Sequence, residues 1–269
     1  MTASQNVLLE ARGLGHSYGS KRVLAGIDFQ VSKGEFLTIV GPSGAGKTTL
    51  LQCLSGLRTP TEGEMVFEGE RVTGPPKDMT VVFQDYSRSL MPWLTVLSNV
   101  TLPLRALKLS RRERDERART VLAEVGLQGA EDSYPWQLSG GMQQRVAIAR
   151  GLVSEPAAVV MDEPFASVDA QTRADLEDLV RRLGHERGVT IILVTHDIDE
   201  AVYLADKVLV IGGVPSTVSA LIEVDFGDAP RDQITTKATA QFAALRSEVY
   251  GLIREAKEQQ TTGTITTVR

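Results

Sequence analysis

The chain of 269 residues contains one cysteine, Cys53. No intramolecular disulfide can form, so nothing points to an oxidising compartment. With Leu50, Leu51 and Leu54 around it, Cys53 reads as a packed thiol rather than a reactive one. Long apolar runs are missing too: no segment approaches the roughly 18 consecutive apolar residues that a membrane-spanning helix needs. The opening MTASQNVLLE has neither the basic nor the apolar region of a secretory signal. The expectation is a soluble, cytoplasmic chain that borrows any membrane role from a partner. Positive charge is in short supply, with 29 Lys and Arg against 34 Asp and Glu. Apart from a local basic patch, that balance opposes the phosphate neutralisation behind non-specific nucleic-acid binding, and no nucleic-acid partner is expected. Internal repeats are lacking, and the only biased segment is the Thr-rich end TTGTITTVR, expected to be a frayed tail.

What is present is an ordinary globular composition, 42% hydrophobic and 23% charged, enough for a large core in one domain with or without appendages. Short apolar runs rich in branched residues predict strands: FLTIV (36–40), AVVMD (158–162), IILVT (191–195) and KVLVI (207–211). Helical patterns lie between them, and this alternation implies a parallel sheet covered on both faces. The opening region and GEMVFEGERV instead predict strands joined by glycine turns, a small antiparallel sheet. Residues 85–156 carry helix signals and little strand. Within them LSRRERDERARTVLAEVGL has Ser110 as a cap, then apolar Val121, Leu122 and Val125 before Gly126. Its arginines alternate with Glu113, Asp115 and Glu116, which reads as a solvated face. Farther on, TVSALIEVDF alternates with period two, and Phe242, Leu245, Val249, Leu252 and Ile253 form a helical stripe.

The strand FLTIV runs into GPSGAGKTTLLQCLSGL, residues 41–57. Gly41, Pro42, Ser43, Gly44, Ala45, Gly46, Lys47 and Thr48 fit the spacing of a phosphate-binding loop in the strand–loop–helix context which that motif requires. Glycines let successive N–H groups turn inward as an anion nest, and the helix start adds unsatisfied donors and partial positive charge. Lys47 is expected to reach the β- and γ-phosphates, Thr48 to ligate Mg²⁺, and Thr49 to bond an α-phosphate oxygen. A hard cation needs a further oxygen ligand, and AVVMDEP ends a strand with Asp162 and Glu163, where α/β sheets hold ligands. Asp162 would support the metal and Glu163 would polarise the attacking water. These residues specify a nucleoside triphosphatase and leave kinase, GTPase and motor open.

LSGGMQQR, Leu138–Arg145, separates those classes. Together with the phosphate loop, AVVMDEP, Gln84 in VFQD and His196 in VTHD, it resembles the nucleotide-binding subunits of ABC transporters, from about residue 7 to 255. The resemblance implies an α/β fold: a P-loop NTPase parallel-sheet core with an N-terminal antiparallel β-subdomain and an inserted helical subdomain. Its expected boundaries are 1–84 and 157–220 for the ATP-binding core, 85–156 for the helical signature subdomain, and 221–269 for a C-terminal extension. Ser139, Gly140 and Gly141 would serve not their own chain's nucleotide but the γ-phosphate held by a second copy packed head to tail. The same resemblance implies that Tyr18 stacks on adenine and that Gln84 senses the γ-phosphate and Mg²⁺. Asp169 would cross the dimer interface, His196 would hold the γ-phosphate and the attacking water, and Glu163 would be the general base.

Within the family, MPWLTVLSNVTLPL, VTHDIDEAVYLADKVLVI and the segment 231–256 look most like the ATPases of nitrate, sulfonate and taurine importers. That implies separate permease subunits, an indirect solute-binding protein, and a peripheral place on the cytoplasmic face of the bacterial inner membrane. Met91, Pro92, Trp93 and Leu94 would form an exposed apolar patch that receives the permease. The alternatives are the ATPase of an exporter or of a soluble, non-transport ABC system. QDYSRSLMPW is slightly longer than the family's pattern, Trp136 stands where relatives carry a small residue or His, and ASVD replaces Ser-Ala-Leu-Asp. None of these departures touches the phosphate residues.

Overall fold

The computed structural model describes residues 6–85, 89–227 and 230–265. In chain order the strands are β1 (Val7–Tyr18), β2 (Lys21–Ser32), β3 (Phe36–Val40), β4 (Glu62–Phe67), β5 (Glu70–Arg71), β6 (Met79–Val82), β7 (Ala158–Asp162), β8 (Thr190–Val194), β9 (Lys207–Gly213) and β10 (Ser216–Glu223). The helices are α1 (Lys47–Leu54), α2 (Val96–Val100), α3 (Arg111–Glu124), α4 (Gly140–Leu152), α5 (Ala170–Arg187), α6 (Ile198–Leu204) and α7 (Ala240–Ile265). The chain forms two compact units, Met1–Pro76 with Thr190–Arg269, and Lys77–Val189.

In the first unit the strand order is β5-β4-β1-β2-β10-β9-β3-β8. β3 lies parallel to both β8 and β9. All of its residues are buried, which is why it reads as an unbroken apolar run rather than an alternating one. β1, β2 and β4 form the antiparallel sheet that the glycine turns predict. The β1–β2 hairpin closes with Tyr18 opposite Lys21, and Gly19 takes the positive φ of +57° that such a tight turn requires. Cys53 is fully buried in α1, and burial pushes its thiol up to about 11; it is a packing residue, as expected.

β10 pairs antiparallel with β9, and α7 packs across β9 where a side chain on Gly212 would come within 2.3 Å of Ala256 Cβ. Phe242, Val249 and Ala256 are the buried stripe of α7, spaced seven residues apart as a helix packed along one line requires. The helix continues into the Thr-rich stretch that the sequence reads as frayed, while residues 266–269 lie outside those described. The segment entering α7 is fixed by Arg231, whose side chain is 5% exposed. Arg231 Nη1 donates to the carbonyls of Tyr203 and Ala205, both at 2.7 Å, capping the end of α6, and Nη2 donates to Val224 O at 3.3 Å. Its guanidinium also lies 4.8 Å from the centre of the Phe226 ring.

In the second unit β6 and β7 pair in parallel and the rest is helical. Strand β7 and helix α5, which the sequence reading includes in 157–220, fall in this unit, with β7 paired to β6 and α5 packed on α4. Ser110 caps α3 through a reciprocal box: its hydroxyl accepts from Glu113 N at 3.3 Å, and Glu113 Oε2 accepts from Ser110 N at 2.7 Å. The arginines of α3 pair along the helix, Arg112 with Glu116 at 2.8 Å, so this face is solvated and self-neutralised. Val121, Leu122 and Val125 are buried beneath it.

Replacing Arg231 with Ala strands several carbonyl acceptors, and the expected loss of stability is about 2–4 kcal/mol. Chemical denaturation followed by circular dichroism measures it, with Arg231→Lys recovering less than half.

Candidate functional site

The site residues of the first unit gather at the C-terminal ends of β3 and β8. β3 stops at Val40, and the loop that follows turns tightly enough to need glycine in particular places. A side chain on Gly41 would sit 2.3 Å from Ile211 O of β9, so the backbone approach itself excludes one. Gly44 and Gly46 hold φ of +80° and +79°, and a side chain on Gly46 would also meet Val23 Cγ1 at 2.7 Å. Gly46 is the N-cap of α1, and no side chain caps that helix. The start of α1 is therefore a set of amide donors with partial positive charge and no competing side-chain acceptor, which suits an anion. Lys47 folds back along the loop, Nζ donating to Gly41 O at 2.9 Å and Pro42 O at 3.2 Å. Pro42 and Ala45 are buried while Ser43, Gly44 and Thr48 face solvent.

Thr49 is nearly buried, and its hydroxyl lies 3.3 Å from the phenolic oxygen of Tyr18. Tyr18 is therefore brought to the helix that follows the phosphate loop. β8 runs beside β3, with Val194 opposite Ile39. The loop leaving β8 emerges at the same end of the sheet as the phosphate loop, and it carries His196, which is exposed. Thr195 N bonds Ile39 O at 3.1 Å, and Asp197 caps α6 by accepting from Glu200 N at 3.1 Å. His196 sits between these two anchors.

In the second unit the parallel pair β6–β7 sets Val82 opposite Met161, so the residues that follow each strand emerge together. Gln84 Nε2 donates to Glu163 Oε2 at 3.3 Å. Glu163 has φ of +43°, a left-handed backbone that a non-glycine residue adopts at a cost of about 1–3 kcal/mol. Asp162, just before it, ends the strand half-buried. The sequence names both carboxylates; the strain on one of them is a property of the fold alone.

Ser139 caps α4, its hydroxyl accepting from Met142 N at 3.3 Å, and Gly140 and Gly141 open the helix. A side chain on Gly141 would come within 2.4 Å of Thr172 Cγ2. Asp169 caps α5 through that same threonine, Oδ1 accepting from Thr172 N at 3.0 Å and Oδ2 from its hydroxyl at 2.6 Å. The hydroxyl and then the amide of Thr172 hold the Asp169 carboxyl below the usual carboxylate range. Two helix starts, with Ser139–Gly141 and Asp169, thus meet at Thr172.

The anticipated surface patch is partly formed: Trp93 is 70% exposed and Pro92 exposed, while Met91 and Leu94 are half-buried. Fully buried Asn99 organises it, donating from Nδ2 to Met91 O and Leu94 O at 3.1 Å and accepting from Met91 N at 2.8 Å. The longer stretch QDYSRSLMPW includes residues 86–88, which lie outside those described. Trp136, the other departure, is 69% exposed and stacks on Tyr134 at 5.9 Å between ring centres. Sequence reasoning missed Arg58, whose guanidinium covers the Tyr18 ring; an arginine in a turn gives no local sign of what it stacks on.

A family model described as ABC transporter matches residues 24–166. An uncharacterised ABC transporter ATP-binding protein of Methanocaldococcus jannaschii is 45% identical over 87% of this chain and 85% of its own length. An aliphatic sulfonates import ATP-binding protein of Xanthomonas axonopodis pv. citri is 44% identical over 89% of this chain and 92% of its own. Among solved structures, a dimeric ATP-binding cassette in a post-hydrolysis state bound to ADP and Pi is similar, with a TM-score of 0.70, 31% identity, and coverage of 82% of this chain and 100% of that one.

Gly46→Ala meets both a positive φ and a crowded side chain, so it is expected to lower the thermal midpoint by several degrees, about 1–3 kcal/mol. Gly44→Ala, which meets nothing within 4 Å, carries only the backbone penalty. Parallel melts of the two variants check the order.

Proposed function

This chain belongs to the ABC transporter family, and we propose that it is the ATP-hydrolysing subunit of an importer for a small solute of the nitrate, sulfonate or taurine kind. The observation that carries the hydrolytic part is Glu163, held at a strained backbone with the Gln84 amide on its carboxylate. Glu68 and Glu155 also have positive φ, so what supports the reading is the strand-end position of Glu163 together with the Gln84 contact.

In this reading the amides of Gly44–Thr49 and Lys47 take the phosphates, and Tyr18 takes the base. Glu163 accepts a proton from the attacking water, a contribution of about 10²–10⁴ in rate. Gln84 orients that carboxylate, and His196 holds the γ-phosphate. Mg²⁺, when bound, would neutralise charge on the phosphates, with Gln84 sensing it; Thr48 and Asp162 are the residues that would hold it. Their hydroxyl and carboxylate are the hard oxygen donors this ion takes, and Mg²⁺ typically uses few protein ligands beside water and phosphate.

A second copy completes each site: the start of α4, Ser139–Gly141, and Asp169 serve the nucleotide of the opposite chain, so ATP draws two copies together. The similar cassette solved as a dimer with ADP and Pi supports the pairing of two copies. In this reading the exposed Pro92 and Trp93 are the docking point for a permease subunit, and the protein works at the cytoplasmic face of the membrane. Among the described residues no helix is long and apolar enough to cross a membrane itself. A periplasmic or lipid-anchored solute-binding protein supplies the solute to that permease. The similar sulfonate import protein supports the importer class.

Lys47→Ala is expected to abolish ATP binding in a calorimetric titration, and unchanged binding removes the phosphate-loop assignment. Glu163→Gln is expected to keep ATP affinity and to dimerise on ATP while turnover by the assembled complex falls at least about 10²-fold. Turnover at the unaltered rate overturns the general-base assignment.

A further inference from the structure

Tyr18 is held on three sides, all within the first unit. Its phenolic oxygen lies 3.3 Å from Thr49 Oγ1 on α1. His16 packs beside it in a T-shaped arrangement, ring centres 4.8 Å apart and planes at 78°. The guanidinium carbon of Arg58 lies 4.8 Å from the ring centre, over a face. Arg58 is itself fixed to α1: Nε donates to Gln52 Oε1 at 2.8 Å, and its backbone N–H donates to Gln52 O at 2.9 Å. The tyrosine is therefore tied twice to the helix that begins at the phosphate loop, once through its hydroxyl and once through Arg58 and Gln52.

His16 does not compete for that role. It is almost fully buried, and burial first, then the Arg58 charge, depresses its pKa, so a neutral ring stands beside the cation. Even with these three contacts, Tyr18 is 44% exposed. A ring so firmly held and still so open to solvent is prepared for a flat ligand, because immobilising an exposed aromatic without one loses rotamer entropy for no burial.

We propose that Arg58 is the positioning residue of the base platform: stacked on one face of Tyr18 and anchored to Gln52, it presents the other face to the adenine of ATP at a fixed distance from the phosphate loop. This rests on the nucleotide reading above and adds to it a residue that never touches the phosphates. The chemistry has two parts. Anchoring removes motion that the base would otherwise have to arrest on binding. The cation over the far face also withdraws electron density from the phenol ring, which strengthens its stacking on an electron-rich purine. Both parts act on the base alone, so Arg58 should matter for ATP and be silent for a ligand with phosphates and no base.

That difference is the test. The non-hydrolysable β,γ-imido analogue of ATP and inorganic tripolyphosphate are each titrated calorimetrically, with Mg²⁺, into the full chain and into Arg58→Ala, Arg58→Gln and Arg58→Lys. Thermal melts establish that each variant is folded. Arg58→Ala and Arg58→Gln are expected to weaken the ATP analogue about five-fold, the middle of the cation–π range, and to leave tripolyphosphate within about two-fold. Arg58→Lys keeps the charge, and is expected to recover at least half of the loss on a logarithmic scale. An unchanged affinity for the analogue overturns the proposal. Equal weakening of both ligands overturns it too, because it makes Arg58 a general support of the loop. If the unaltered chain binds neither ligand, the nucleotide reading falls and takes this inference with it; if it binds both and the variants match it, only this inference falls.

Discussion

The start of α1 has no side chain to cap it, and much of the first unit is arranged around that fact. A helix start with unsatisfied donors is ordinarily a defect that Ser, Thr, Asp or Asn repairs, as Ser110, Ser139, Asp169 and Asp197 do for α3, α4, α5 and α6. At α1 the position is Gly46 in a left-handed conformation, and the donors are left for an anion. Keeping them available requires a loop too tight for side chains, and that loop in turn requires the backbone of β9 to pass within reach of Gly41. The central place of β3 between β8 and β9 fixes all of this relative to a fully buried core.

The second unit has its own version of the same economy. Asp169 caps a helix with one oxygen and binds a hydroxyl with the other, both on Thr172, and that threonine also limits residue 141 to glycine. Capping, packing and the approach of two helix starts are therefore one interaction, and a change at any of the three residues disturbs the others. At β7 the first four residues are buried, and Glu163, just past the strand's end, holds its positive φ.

Sequence reasoning recovered the parts that local chemistry dictates. The glycines of 41–46, the apolar runs of β3 and β7, the cap at Ser110 and the alternation of β10 are each legible because a backbone angle or a periodicity demands particular residue types. What escaped it depends on partners far away in the chain. Arg231 reads as a surface arginine, yet it is buried against the carbonyls that end α6. Asn99 reads as an ordinary helix residue, yet it shapes the loop that exposes Trp93. The expected frayed tail, 261–269, lies partly outside the described residues; α7 runs on to Ile265 from its buried anchors Val249 and Ala256.

Cys53 has a practical consequence. It is the chain's only cysteine, fully buried, with its thiol suppressed until strongly alkaline pH. A cysteine engineered onto the surface therefore becomes the sole nucleophilic sulfur that a maleimide fluorophore or spin label meets, with no native residue to remove first. Distances between paired probes can then be followed through a turnover cycle in a polypeptide that differs from the natural one at the labelled positions only.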